Sequence, residues 1–148
     1  MTTLFTKIIA GDIPGRFVWA DDVAVAFGTI APITDGHVLV VPRVEIVQLT
    51  DAPDDVLAHL VAVAKTIGAA QQAAWSAPRA ALLVAGFEVP HLHLHVLPAW
   101  DEASLSFHNA RADVPAAELD DAAARVRDML VAQGHAAHVP ATLSSPAL

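Results

Sequence analysis

Hydrophobic and polar positions change their period several times along this chain, and each change predicts an element. Leu4 to Ala10 reads as a short helix, ended by the Gly11, Asp12, Ile13, Pro14 turn. Two strands, Phe17 to Ala20 and Val23 to Gly28, follow across a turn at Asp21 and Asp22, and His37 to Val41 is a third, entered through Asp35 and Gly36. Pro53 opens a long helix to about Trp75, in which Leu57, Leu60, Val61, Ala64 and Ile67 form an apolar stripe. Ala58, Ala62, Ala69 and Ala73 lie on its opposite side, so this helix can pack on two sides. Strands at Ala80 to Ala85 and His91 to Leu97 complete a mainly antiparallel sheet. A last helix is predicted from Val114 to Gln133, capped by Asp113 and stopped by Gly134. Strands with one long helix in their midst and another at the end indicate an α+β fold rather than a regular βαβ alternation. Residues 1–140 read as one domain, and 141–148, beyond Pro140, as a loose tail.

Composition narrows the class. With 148 residues, 55% hydrophobic and 16% charged, the chain suits one domain with a substantial core rather than disorder. It contains no apolar run of membrane-spanning length and no charged-then-apolar leader, which makes the cytoplasm the expected location and a membrane partner unexpected. The absence of cysteine removes disulfides, thiolate metal sites and cysteine nucleophiles. A formal charge of -8 argues against general nucleic-acid binding, which needs basic side chains to replace phosphate counterions. The acids gather at Asp51, Asp54 and Asp55 and at Glu118, Asp120 and Asp121, as expected of solvated helix starts.

The candidate chemistry lies in PHLHLHVLP. His91, His93 and His95 alternate with Leu92 and Leu94, so a strand would put all three imidazoles on one face, about 6.6 Å apart. Three readings are open. The row could be a solvent face, although surface strands favour Thr, Lys or Glu. Two of the histidines, with His37 as a further ligand, could bind zinc. Alternatively, a neutral imidazole could attack phosphorus while its neighbours bind phosphate oxygens.

HLHLHVLP fits the H-x-H-x-H-x-x signature of the histidine triad (HIT) family of nucleotide hydrolases and transferases. TLFTKIIAGDIPGRFVWADD resembles that family's amino-terminal segment, VAFGTIAPITDGHVLVVPR is similar to the hairpin before its long helix, and Gly86 and Val89 match the lead-in to the triad. The resemblance implies a five-stranded HIT-like sheet, a homodimer joined through the long helices, and no cofactor. It also implies release of a nucleoside monophosphate from a dinucleoside polyphosphate, a nucleoside phosphoramidate or a similar substrate. His93 would be the nucleophile, flanked by His91 and His95, with His37 completing the cluster. Base and sugar would lie beside Phe5, Ile8, Ile13, Phe27 and Ile30.

Departures from the family pattern bear on specificity. Thr29 stands where many relatives have a ribose-binding aspartate, Phe87 where glutamine is common, and Glu88, before Val89, where small hydroxyl residues are common. These changes leave open a nucleotide-binding regulatory protein with little turnover. Some relatives bind structural zinc through two cysteines and a histidine, at positions that here carry Thr3, Thr6 and Glu45, a poor zinc set.

Overall fold

The computed structural model describes residues 2–148. Its strands are β1 (Phe17–Ala20), β2 (Ala24–Gly28), β3 (Val38–Pro42), β4 (Arg79–Val84) and β5 (Leu94–Ala99), and its helices are α1 (Leu4–Ala10), α2 (Asp54–Trp75) and α3 (Ala116–Ala132). The strands form one antiparallel sheet in the order β1-β2-β3-β5-β4, so the expected α+β fold is the observed one. Among the described residues, no helix is long and apolar enough to cross a membrane.

Strand alternation sorts the side chains into two cores. Ala24, Ala26, Val38, Val40, Leu94 and Val96 face α2 and α3, where they meet Leu60, Val63, Ala64, Ile67, Val126 and Leu130. On the opposite face Phe17, Val25, Phe27, Leu39 and Val41 are covered by Phe5 and Ile8 of α1. Cross-strand pairing extends this second row into the histidines, because Phe17 pairs with Phe27, Phe27 with Leu39, Leu39 with His95, and His95 with Leu83. His95 is thus a polar position set in an otherwise apolar row.

Local chemistry fixes the ends of the elements. Thr3 caps α1 by accepting the Thr6 N–H, and Gly11 ends that helix in the left-handed conformation. The carboxylate of Asp21 accepts the N–H groups of Val23 and Ala24, which closes the β1–β2 turn. Gly36 adopts a positive φ of +81°, and a Cβ there would also run into the Trp75 ring.

Three expectations need correction. Asp113 does not cap α3, since Pro115 occupies the cap position and its fixed φ leads the chain into the first turn. Val61 is not a core residue but 42% exposed, because α2 turns Leu60, Ala64 and Ile67 to the sheet and leaves Val61 at an open groove beside β4. The last strand begins at Leu94 rather than His91, since the peptide groups of His91 and Leu92 bond out of the ladder, to Val89 O and Ile46 O.

Of residues 141–148, Thr142 and Leu143 reach back to the sheet. The Leu143 carbonyl accepts Phe17 N–H at 2.8 Å, and Arg127 donates to the carbonyls of Phe17, Pro140 and Thr142.

Candidate functional site

Backbone carbonyls set the proton positions on the first two histidines. A carbonyl oxygen can only accept, so the 2.7 Å contact between His93 Nδ1 and the His91 carbonyl puts a proton on Nδ1. In the neutral ring Nε2 then keeps an unshared pair. His91 is turned the other way. Its Nε2–H donates to Pro42 O at 2.8 Å, and its Nδ1 accepts from the Thr3 hydroxyl at 2.7 Å.

A second chain of bonds orients His95. Ile33 N–H donates to His37 Nδ1 at 3.0 Å, so neutral His37 carries its proton on Nε2 and donates it to His95 Nδ1 at 2.9 Å. His95 must then carry its own proton on Nε2. Burial pushes His37 down to about 3, with the rings of His95 and His93 acting in the same direction. Burial, aided by His93, pushes His95 to about 4. His93 is lowered as well, again by burial, with its bond to the His91 carbonyl in partial opposition. The cleft therefore presents an unshared pair on one ring and an N–H on the next, with ring centroids 4.9 Å apart. A nucleophile beside a proton donor is suited to displacement with an anionic leaving group.

Phe5 packs edge-on against His93 at 4.9 Å and His91 at 5.7 Å, and against Phe27 at 5.6 Å. Ile8, Ile13 and Val89 join the same apolar cluster. Ile30 is absent from it and 72% exposed, because the chain leaves the sheet after β2. The Thr29 hydroxyl, half-buried, accepts Ala31 N–H. Glu88 and Phe87 are exposed in the β4–β5 connection.

Sequence reasoning missed two neighbours of the site. Phe107, in a short helical turn between β5 and α3, places its ring edge-on to His95 at 4.9 Å. That connection is tied to the β2–β3 loop by Arg111, through Pro32 O and the Asp35 carboxylate. Gln71, fully buried on α2, donates to both Gly36 O and Val96 O at 2.8 Å and so brackets the strands that carry His37 and His95. Its signal was its spacing, since residue 71 continues the 60, 64, 67 stripe with a polar side chain.

The residues at the zinc position of some relatives do not fit a metal. Thr3 and Thr6 carry neutral hydroxyls that are already committed, the first to His91 and the second to Glu45, and His91, their neighbour, has both ring nitrogens engaged.

Similarity to known proteins follows this geometry. The HIT domain model matches residues 10–102. The chain is 38% identical over 111 residues to an uncharacterized HIT-like protein of Mycobacterium tuberculosis strain H37Rv, covering 72% of this chain and 77% of that protein. It is 32% identical over 101 residues to the purine nucleoside phosphoramidase of Escherichia coli K12, covering 64% and 85%. Its fold matches that of a Zn-bound histidine triad family protein from Mycobacterium smegmatis with a TM-score of 0.78 and 28% identity, over 92% of this chain and 98% of that one. This chain belongs to the histidine triad family.

Proposed function

We propose that this protein is a nucleotide hydrolase or transferase that moves a nucleoside monophosphate first onto His93 and then onto water, cleaving a phosphoramidate or phosphoanhydride bond. The observation that carries this reading is the neutral His93 ring, its Nδ1 committed to a carbonyl and its Nε2 open beside the Nε2–H of His95. In the first step Nε2 of His93 forms a bond to phosphorus while the bond to the leaving nitrogen or oxygen breaks; the Nε2–H of His95 donates a hydrogen bond to the departing atom, which takes any proton it needs from water. In the second step water attacks phosphorus, its proton is lost to solvent, and the phosphorus–His93 bond breaks to restore the neutral ring. The name of the Escherichia coli relative favours a phosphoramidate among the possible substrates.

In this reading Phe5, Ile8, Ile13 and Phe27 flank the base and sugar, Ile30 lies at the rim, and Thr29 offers a neutral hydroxyl to the ribose. Val89 and Glu88 border the phosphate side, and His91 and His37 orient the two working rings. The chemistry calls for no cofactor. Two copies would pair through α2 and β4, where Val61 and Leu82 are exposed beside a strand edge that no other described strand covers.

The test is nucleoside monophosphate release from an adenosine phosphoramidate, a diadenosine polyphosphate and a nucleoside diphosphate, for wild type and His93→Ala after chelator treatment. Turnover that survives chelation and falls by at least about 10³-fold in His93→Ala is expected, since loss of a covalent nucleophile removes the whole route. Nucleotide binding without turnover on any substrate would instead identify a regulatory binding protein.

A further inference from the structure

The proposed reaction uses His93 and His95 and leaves unexplained a polar chain that runs from the surface to the back of the nucleophile. It begins at Glu45, whose Oε1 accepts the Thr6 hydroxyl at 2.6 Å and the Thr3 backbone N–H at 3.1 Å. The Thr3 hydroxyl donates to Nδ1 of His91 at 2.7 Å while its oxygen accepts Thr6 N–H at 3.1 Å. From the other side of the ring, His91 Nε2–H donates to Pro42 O at 2.8 Å. The chain ends where the His91 carbonyl accepts His93 Nδ1–H at 2.7 Å. Three segments that are far apart in sequence, the start of α1, the end of β3 and the lead-in to β5, thus meet on one imidazole that is wholly buried.

Both nitrogens of that imidazole are held, so its ring cannot rotate without leaving a buried polar group unsatisfied. The peptide that follows is held with it, and the carbonyl of that peptide is what keeps the proton on Nδ1 of His93 and the unshared pair on Nε2. Thr3 acts twice on the same target. Besides bonding His91 it caps the helix that carries Phe5, and the Phe5 ring lies edge-on against His93 at 4.9 Å. We infer that Thr3, backed by Glu45, is a positioning residue for His93, and that its hydrogen-bonded tie holds the triad in the place where some relatives use a metal. This inference rests on the reading of His93 as nucleophile for its kinetic consequence, though not for its structural one.

Thr3→Val keeps the shape of the side chain and removes the hydroxyl, both the donor to His91 and the acceptor that caps α1, whereas Thr3→Ser keeps both. The expected result for Thr3→Val is a kcat lower by about tenfold, the factor one hydrogen bond supplies, with KM within about twofold of wild type, and recovery of kcat in Thr3→Ser. Imidazole nitrogen NMR supplies a readout that needs no substrate. Wild type and Thr3→Ser should show His93 protonated at Nδ1 alone and His91 at Nε2 alone, and Thr3→Val should show His93 as a mixture of tautomers. Loss of folded protein would lower the active concentration but would not alter the tautomer of the folded fraction. The inference is overturned if the His93 resonances and kcat of Thr3→Val match those of wild type. Should wild type turn over none of the substrates, the proposed reaction fails, and the nitrogen spectra still decide whether Thr3 sets the state of His93.

Discussion

Keeping three imidazoles uncharged in one cleft makes the protein sensitive to acid. In an unfolded chain a histidine takes up its proton near pH 6.5, whereas His37 resists protonation down to about 3 and His95 down to about 4, with His93 lowered as well. Between those values and 6.5 the unfolded state binds more protons than the folded one. The stability these groups contribute is therefore fully present above about pH 6.5 and is lost as pH falls, down to about 4 for His95 and about 3 for His37. Part of each shift is mutual repulsion among the rings, so the three contributions do not add. Asp21, pushed down to about 2 by its hydrogen bonds with Trp19, Ala24, His59 and Val23 against the opposing effect of burial, acts only below pH 4 and leaves the upper window to the histidines. The urea midpoint is expected to be clearly lower at pH 5 than at pH 7, and the difference to shrink in His37→Asn. An unchanged midpoint across that interval would mean that the cleft histidines are not held neutral. The same neutrality places the acid limb of kcat/KM below pH 6.5, since His93 must be unprotonated to attack.

At the scale of elements, α2 shows how a helix outside the cleft ties together the segments that carry its histidines. Leu60, Ala64 and Ile67 pack on the sheet, and Gln71, next on that stripe, spends both N–H donors on Gly36 O and Val96 O. Gln71→Leu keeps the volume but strips two buried carbonyls of their donor, a loss of about 1–3 kcal/mol. In a chain of this size that corresponds to a fall in Tm of roughly 3–10 °C, and scanning calorimetry would measure it. A variant as stable as wild type would show that the two carbonyls find other donors. The period of the helix and the alternation of the strands were legible in the sequence, because each is a local consequence of burying one face. So was the triad, because its spacing and flanking residues match a family pattern. Gln71 was passed over as one polar side chain among alanines, and Phe107 because its place against His95 depends on the Arg111 tie between segments distant in sequence. The start of β5 was misread for a related reason. His91 and His93 keep strand-like alternation, but the peptide groups of His91 and Leu92 bond to Val89 and Ile46 instead of to the sheet.

The two edges of the sheet are treated differently in the whole molecule, and that difference bears on the proposed pairing of copies. At β1 the chain covers its own edge, with Leu143 O accepting Phe17 N–H, Arg127 gathering the carbonyls around it, and His138 stacked on Trp19 at 4.6 Å between ring centroids. At the other end, among the described residues, β4 pairs only with β5, so its outer row of N–H and C=O groups has no described strand beside it. Beside that edge Leu82 is 45% exposed and Val61 42% exposed. An uncovered edge next to exposed apolar side chains is a template for pairing, and soluble proteins otherwise blunt such edges with charge, proline or a covering segment. A second copy related by a two-fold axis would supply an antiparallel β4 and a matching α2 face, since such an interface presents the same patch from both sides. Light scattering on the eluting protein is therefore expected to give twice the chain mass. Leu82→Arg, which puts two guanidinium groups together across the axis, should reduce it to the chain mass while leaving the histidine cleft intact. A wild-type protein that elutes at the single-chain mass at micromolar concentration would show that the open edge is not a dimer contact.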